Sequence, residues 1–177
     1  MLDTRELGRR PGSQREVSLT VAAPADLGIE VLRVPEGSPV ELDLRLEAVM
    51  EGVLVTGTAH ASLVGECARC LEPLTATDRT SITVDVQELF VYEDHALPGE
   101  DDEVSTLQDD LVDLEPLLRD AVVLALPFQP LCEDDCPGLC AECGARLADD
   151  PDHGHDAPVD PRWTALSALA EPDQAED

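Results

Sequence analysis

The sequence predicts an α+β fold in which a small, hairpin-based antiparallel β-sheet is packed by one long helix, with a C-terminal cysteine-rich zinc-binding module. Three observations predict it. Two alternating runs at 40–49 and 53–64 flank a turn, an amphipathic run at 113–127 has helical spacing, and four cysteines follow within residues 132–143. The length of 177 residues suits one domain with a small appended module.

Four β-rich runs predict the sheet. Residues 16–22 form a short first strand, and residues 79–91 form the last one. Residues 40–49 alternate apolar with charged side chains, and 53–64 continue the pattern after a turn, so these two runs should pair as a long hairpin. Gly57 favours a bulge within that hairpin.

The sheet is followed by a loop and then by the helix. Residues 92–110 are acidic and contain Pro98 and Gly99, which predicts a solvated loop with a flexible centre. Asp113 is the predicted N-cap, because its carboxylate can accept from free N–H groups of the first turn. The helix then has an apolar stripe broad enough to lie on the sheet, and Pro127 ends it.

These elements divide the chain into four parts. A flexible N-terminal arm covers residues 1–15, and the sheet with its helix covers 16–128. The Cys/His metal-binding module covers 129–159. A short closing helix and an acidic tail cover 160–177.

The six cysteines fall into two clusters with metal-ligand spacing. One cluster reads C-x3-C-x3-C-x2-C, and the other is a single C-x-x-C pair far upstream. Thiolates are soft donors that suit Zn²⁺, and a C-x-x-C followed by glycine lets a tight turn aim two sulfurs at one ion. Two histidines downstream can add imidazole nitrogens. The candidate ligands are Cys67, Cys70, Cys132, Cys136, Cys140, Cys143, His153 and His155.

Two arrangements of these ligands compete, because a tetrahedral zinc ion takes four. The first has two sites, formed by Cys140, Cys143, His153 and His155 and by Cys67, Cys70, Cys132 and Cys136. The second has one zinc ion held by the four downstream cysteines, with the upstream pair as spectators. Buried thiols or disulfides are the alternative for the cysteines, and solvated side chains are the alternative for the histidines. The separation of the Cys70 sulfur from those of Cys132 and Cys136 decides between the two arrangements.

Charge limits the classes of partner. The chain has 39 acidic residues and 11 cations, all of them arginine, which gives a formal net charge of −28. This charge repels a phosphate backbone, so nucleic acid is not expected to bind along a broad surface. The acidity indicates either solubility alone or a surface that docks a basic protein. The exception is the N-terminal arm, where Arg5, Arg9, Arg10 and Arg15 are candidate contacts to RNA or to an acidic partner.

The chain shows no apolar run of membrane-spanning length and no apolar segment typical of a secretory signal near its N-terminus. We therefore expect it in the cytoplasm, with reduced thiols.

Enzyme classes that use such cysteines are not indicated. A zinc deaminase needs H-x-E ahead of P-C-x-x-C, and neither half is present. A thioredoxin-type redox role needs the C-x-x-C at a helix N-terminus, whereas Leu71, Glu72 and Pro73 predict no helix after Cys70. The sequence therefore predicts binding and not catalysis.

Four motifs occur in a distinctive order: E-C-x-R-C-L-E-P at 66–73, L-A-L-P at 124–127, G-L-C-x-x-C-G at 138–144 and D-P-R-W at 160–163. This order, within residues 3–169, resembles the YceD family, whose members are described as large ribosomal RNA subunit accumulation proteins. The resemblance implies a non-enzymatic factor needed for 23S rRNA to accumulate, with large-subunit rRNA or the pre-ribosome as partner. Where relatives tend to carry C-x-C, this chain has His153-Gly-His155, which implies a changed ligand type. The alternative is an acidic protein that holds a basic ribosomal protein before assembly.

Overall fold

A computed structural model describes residues 1–74, 80–95, 104–155 and 162. The chain separates into two units, Met1–Cys136 and Pro137–Asp177. The predicted closing helix and acidic tail, and the centre of the predicted acidic loop, lie outside the described residues. The boundary between the units follows Cys136, so part of the predicted 129–159 module belongs with the sheet.

The first unit contains the strands and the helix of the described residues. In chain order they are β1 (Leu2–Asp3), β2 (Gln14–Ala22), β3 (Gly28–Ile29), β4 (Leu32–Arg33), β5 (Pro39–Ala48), β6 (Gly52–Ser62), β7 (Val64–Gly65), β8 (Ser81–Val91), β9 (Leu111–Val112) and α1 (Glu115–Ala125). The main sheet has the order β2-β5-β6-β8 and is antiparallel throughout. Two smaller sheets have the orders β1-β9 and β3-β4-β7.

The predicted hairpin is confirmed as the centre of the main sheet. β5 pairs with β6 in antiparallel register from Val40 opposite Ala61 to Ala48 opposite Val53. Strict alternation buries every second residue of β5, because one face of the sheet meets the core and the other meets water. The prediction of a small sheet based on this hairpin is corrected, since β2 and β8 extend it on both sides.

The bulge predicted at Gly57 is wrong. Its neighbours stay in continuous register with β5 and β8, and Gly57 itself lies opposite Leu44 and Val86. The position needs glycine for another reason. Its φ is 155°, and an added Cβ would lie 2.1 Å from the carbonyl oxygen of Asp43. Glycine here permits a close approach of two backbones, which no side chain would allow.

The helix has 11 residues, so the prediction of one long helix is wrong. Residues 111–112 pair as β9 ahead of the helix, and the chain leaves helical geometry at Leu126, directly before Pro127. The N-cap is Leu114, one residue after the predicted cap, although the Asp113 carboxylate still accepts from the Glu115 N–H at 3.2 Å. Leu118 and Val122 are buried, and Leu117 and Ala121 pack against the core, whereas Leu124 of the predicted apolar stripe is exposed.

The N-terminal residues differ from the predicted arm. β1 pairs with β9, Thr4 and Leu7 are buried, and Arg9 lies 4.5 Å above the ring of Tyr92. These contacts attach residues 1–9 to the first unit. Among the described residues, no helix has the length and apolar character that crossing a bilayer requires.

Candidate metal centres

The first candidate centre lies within the first unit and consists of Cys67, Cys70, Cys132 and Cys136. The first two follow β7, and the other two follow α1. The Cys67 and Cys136 sulfurs are 3.8 Å apart, and those of Cys70 and Cys132 are 3.7 Å apart. Four sulfurs bound to a tetrahedral zinc ion at about 2.3 Å would be separated by about 3.8 Å. The arrangement therefore matches a four-thiolate zinc site.

Two hydrogen bonds hold the two halves of this centre together. The Ala68 N–H donates to the Pro130 carbonyl at 2.8 Å, and the Arg69 guanidinium donates to the Cys136 carbonyl at 2.9 Å. Cys67, Cys70 and Cys136 are at most 5% exposed. The centre thus joins the end of a strand to the segment after the helix, with three of its four thiols buried and Cys132 partly exposed.

The surroundings shift the pKa values of two of these thiols in opposite directions. Burial by itself would raise the pKa of Cys67, but N–H groups of Cys70, Cys132 and Arg69 lower it to about 6. The Cys136 thiol, together with burial and the other sulfurs, raises the pKa of Cys132 to about 12. Cys67 therefore ionises readily, whereas the ionisation of Cys132 is opposed by its neighbours. A divalent cation would remove that conflict, because metal ligation deprotonates thiols outright.

The second candidate centre lies within the second unit and consists of Cys140, Cys143, His153 and His155. The Cys143 sulfur is 3.2 Å from His153 Nε2 and 3.3 Å from His155 Nε2, and the two Nε2 atoms are 3.0 Å apart. Ligands of one zinc ion would lie about 3.4 to 3.6 Å apart for these atom types. The spacing is slightly tighter, but the donor set is a Cys2His2 set.

Both histidines of this centre turn their other ring nitrogen toward a carboxylate. His153 Nδ1 lies 3.8 Å from Asp150, and His155 Nδ1 lies 3.5 Å from Glu142. A carboxylate at that nitrogen favours the tautomer with the proton on Nδ1, which leaves Nε2 free to bind metal. Sequence reasoning missed these two acids, although their positions inside and just before the ligand motifs could have indicated them.

The two C-x-x-C turns share one backbone design. The residue after the second cysteine is left-handed in both, with φ 60° at Leu71 and 73° at Gly144. Its N–H donates to the carbonyl of the first cysteine at 2.9 Å, in Cys67 and in Cys140. The N–H groups of Cys143 and Glu142 lower the pKa of Cys140 to about 6. The sequence predicted such a turn for a C-x-x-C pair that is followed by glycine. Leu71 adopts the same left-handed conformation although it is not glycine.

Each group of four has its ligand atoms within 4.8 Å of one another, so the sulfur distances support the two-site arrangement over the single four-cysteine site. In this geometry, all eight candidate side chains divide into two sets of four. Thiolate and imidazole donors in fours are the sets that zinc prefers. Both centres can therefore hold a metal ion.

Three of the four N-terminal arginines have carboxylate partners. Arg9 contacts Asp94 and Asp110, Arg15 contacts Glu6 at 3.0 Å, and Arg5 contacts Asp3. These pairs lie at the surface, where they contribute little free energy, but they neutralise the cations locally. Any contact of these arginines with RNA would have to compete with those carboxylates.

The fold and the two clusters define an acidic α+β protein with two candidate metal centres. The chain belongs to the YceD family: a family model described as "Large ribosomal RNA subunit accumulation protein YceD" matches residues 55–170. The resemblance drawn from the four motifs is thereby confirmed. The match contains both C-x-x-C turns and all eight candidate ligands.

Several curated proteins are similar to the chain. An uncharacterized protein of Mycobacterium tuberculosis is 48% identical over 97% of this chain and 82% of its own length. An uncharacterized protein of Mycobacterium leprae is 42% identical over 98% of this chain and 78% of its own. The uncharacterized protein YlbN of Bacillus subtilis is 26% identical over 77% of each. No solved structure matches the chain.

Proposed function

We propose that this protein is a non-enzymatic factor that promotes accumulation of large-subunit (23S) rRNA in the cytoplasm, and that two bound zinc ions stabilise it. Membership of the YceD family carries the first part of this proposal. The two tetrads of ligands support the second. Binding, and not catalysis, would be the activity, with large-subunit rRNA or the pre-ribosome as partner.

The residues after Pro127 explain why metal would matter for folding. Few apolar side chains are buried among the described residues of this segment: Cys136 is one, and Leu131 and Cys132 are only partly buried. Such a segment cannot bury enough surface to offset its conformational entropy. Metal bonds would supply the missing stabilisation, because the binding free energy of a structural zinc ion adds directly to folding.

Depletion in the organism that encodes the protein tests the first part. The ratio of large-subunit to small-subunit rRNA should fall, and a plasmid copy of the wild type should restore it. A Cys70→Ser copy should not restore the ratio, whereas a Glu133→Gln copy should, because Glu133 is exposed and is not one of the ligands. An unchanged rRNA ratio after depletion would contradict the proposal.

A second candidate function is an acidic protein that holds a basic ribosomal protein before assembly. The net charge of −28 favours it, since a strong negative field attracts basic partners and repels RNA. Purification of the tagged protein with and without nuclease separates the two candidates. Ribosomal proteins that remain after nuclease support the second candidate, and ribosomal material lost with the RNA supports a direct RNA contact.

The N-terminal arginines can be tested in the same purification. Replacing Arg5, Arg9, Arg10 and Arg15 by serine should weaken rRNA association and flatten its salt dependence if they contact phosphates, since each such contact releases counterions. Equal rRNA recovery from the variant and the wild type would exclude that role.

A further inference from the structure

Among the described residues, β8 is an edge strand of the main sheet, and most of its outer side is unpaired. Its inner side pairs with β6 along its whole length. On its outer side, the described residues that pair with it are 105–107, through Val91: the Val91 N–H donates to the Ser105 carbonyl, and the Val91 carbonyl accepts from Leu107. Backbone groups of a strand alternate sides, so those of residues 83, 85, 87 and 89 point outward like those of Val91. Within the part of the chain that the structure describes, these groups have no backbone partner, so they form a row of donors and acceptors that another strand could use.

A groove runs beside this edge, between β8 and α1. It has a volume of about 360 Å³, and its apolar lining includes Phe90, Leu117 and Leu124. Leu124 is 85% exposed although it is a large apolar side chain on the helix. An apolar groove next to an open strand edge is the setting in which an extended peptide adds to a sheet, with backbone hydrogen bonds for affinity and side-chain contacts for specificity.

The groove is acidic on both of its sides. Glu88 projects on the core face of β8, because its neighbour Val55 faces the core, and Asp120 projects from α1. Asp85 stands on the opposite face of β8, beside the same edge. None of the arginines in the described residues forms a salt bridge with these three carboxylates. A strand placed on this edge would therefore meet carboxylates with both of its side-chain rows.

We propose that the groove between β8 and α1 binds an extended basic segment of a partner protein, which adds to the main sheet as a further strand beside β8. The segment would combine arginine or lysine with an aliphatic residue that packs on Leu117 and Leu124. The proposal deepens the second candidate function above and rests on it for the partner class. RNA fits this surface poorly, because its phosphates would face Glu88 and Asp120.

The opposing interpretation is that the acids protect the edge. Inward-pointing and edge charges are common devices that keep two sheet edges from pairing, and Glu88 has that position. Protection and peptide binding make different predictions, because only binding requires a cationic strand to be accepted. A synthetic peptide distinguishes them.

The experiment measures binding of a fluorescent peptide of about eight residues, long enough to span the edge of β8. In the row of side chains that faces α1, arginine alternates with leucine, and every residue of the opposite row is arginine. Binding to the full-length, zinc-loaded protein is followed by fluorescence anisotropy at low salt. NMR signals of residues 83–89 and of α1 should shift on binding. A peptide with the same sequence whose alternate amides are N-methylated on the side facing β8 should not bind, whereas methylation of the other amides should be tolerated.

Two charge variants locate the site. Glu88→Gln with Asp120→Asn should weaken peptide binding by roughly tenfold, because two ion pairs are lost. The matched control is Glu16→Gln with Glu41→Gln, which removes the same charge from exposed positions on β2 and β5, and it should bind the peptide nearly as the wild type does.

Three outcomes would overturn the proposal. They are no binding of the basic peptide, equal binding of both methylated peptides, and equal binding by the groove and control variants. If the basic peptide does not bind, the carboxylates are better explained as charges that protect the edge of the sheet. A polyuridine oligomer that displaces the peptide would favour RNA as the occupant. None of these results bears on the nuclease-treated purification that tests the second candidate function, or on rRNA accumulation after depletion. This proposal and the two candidate functions can therefore fail separately.

Discussion

The two candidate metal centres use the same turn in opposite surroundings. In both, a left-handed residue follows a C-x-x-C pair and donates to the first cysteine. The first centre has three ligands at most 5% exposed and draws them from segments 62 residues or more apart. The second takes all its ligands from residues 140–155, and Cys143 and His155 are exposed. The same type of turn thus belongs to a cluster of distant segments in the first centre and to a single local loop in the second.

The consequence of this difference is thermodynamic. Linking distant segments removes more conformational freedom from the unfolded chain than linking near ones, and burial makes the loss of a ligand costlier. The first centre should therefore control the stability of the sheet unit, and the second should control only its own loop. The following predictions test that contrast, starting with the largest effect.

Loss of one ligand should separate the two centres most strongly. Cys70→Ser should lower the free energy of unfolding of the sheet unit by about 3 kcal/mol or more, because the buried thiolates lose their shared cation. Cys143→Ser should leave that free energy nearly unchanged and abolish ordered NMR signals only near residues 140–155. Denaturant unfolding, followed by the β-sheet circular dichroism signal, measures the first effect. Similar losses from the two variants would contradict the contrast.

Chelation should remove the two ions in a fixed order. Native mass spectrometry of the purified protein should show two zinc ions, and a strong chelator should yield a one-zinc species before the metal-free one. The exposed Cys2His2 centre should empty first, since a chelator reaches it without unfolding. The signals of Cys143 and His155 should therefore change before those of Cys67. Simultaneous loss of both ions, or the reverse order, would count against this interpretation.

The carboxylates behind the histidines should matter for metal affinity at the second centre alone. Glu142→Gln and Asp150→Asn should each weaken zinc binding there by about tenfold, because each histidine loses the carboxylate near its Nδ1. Asp152→Asn, in the same loop, is the control. Competition with a zinc-sensitive dye measures the affinity. If the control weakens binding as much as the two variants do, the effect is one of net charge.

The smallest effect concerns the left-handed residue of each turn. Leu71→Gly should be neutral or stabilise the first centre by up to about 1 kcal/mol, since leucine pays a steric cost at φ 60° that glycine avoids. Leu71 is 60% exposed, so little packing is lost. Gly144→Ala should destabilise the second centre by about 1 kcal/mol for the same reason. Zinc-dependent melting of each variant gives the sign, and a destabilised Leu71→Gly protein would contradict the prediction.

Local pattern determined much of this protein. The alternation in residues 40–49 and 53–64 was enough to predict their pairing, because side chains of a strand repeat every second residue and one face must be buried. The nature of the candidate metal ligands could also be read from the sequence, since thiolate and imidazole chemistry belongs to the residues themselves. The order of the motifs indicated the family, which the match over residues 55–170 confirms.

Tertiary structure decided what depends on distant parts of the chain. Spacing alone left two ligand arrangements open, and the 3.7 Å between the sulfurs of Cys70 and Cys132 favours one of them. Residues 1–9 looked like a free arm because their charges dominate, yet Thr4 and Leu7 are buried once β9 offers an edge to β1. The groove beside β8 could not be predicted from the sequence either, because it depends on where α1 packs against the sheet. Strand pairing, burial and unpaired strand edges depend on contacts between distant segments. A local sequence pattern carries information about a single segment only.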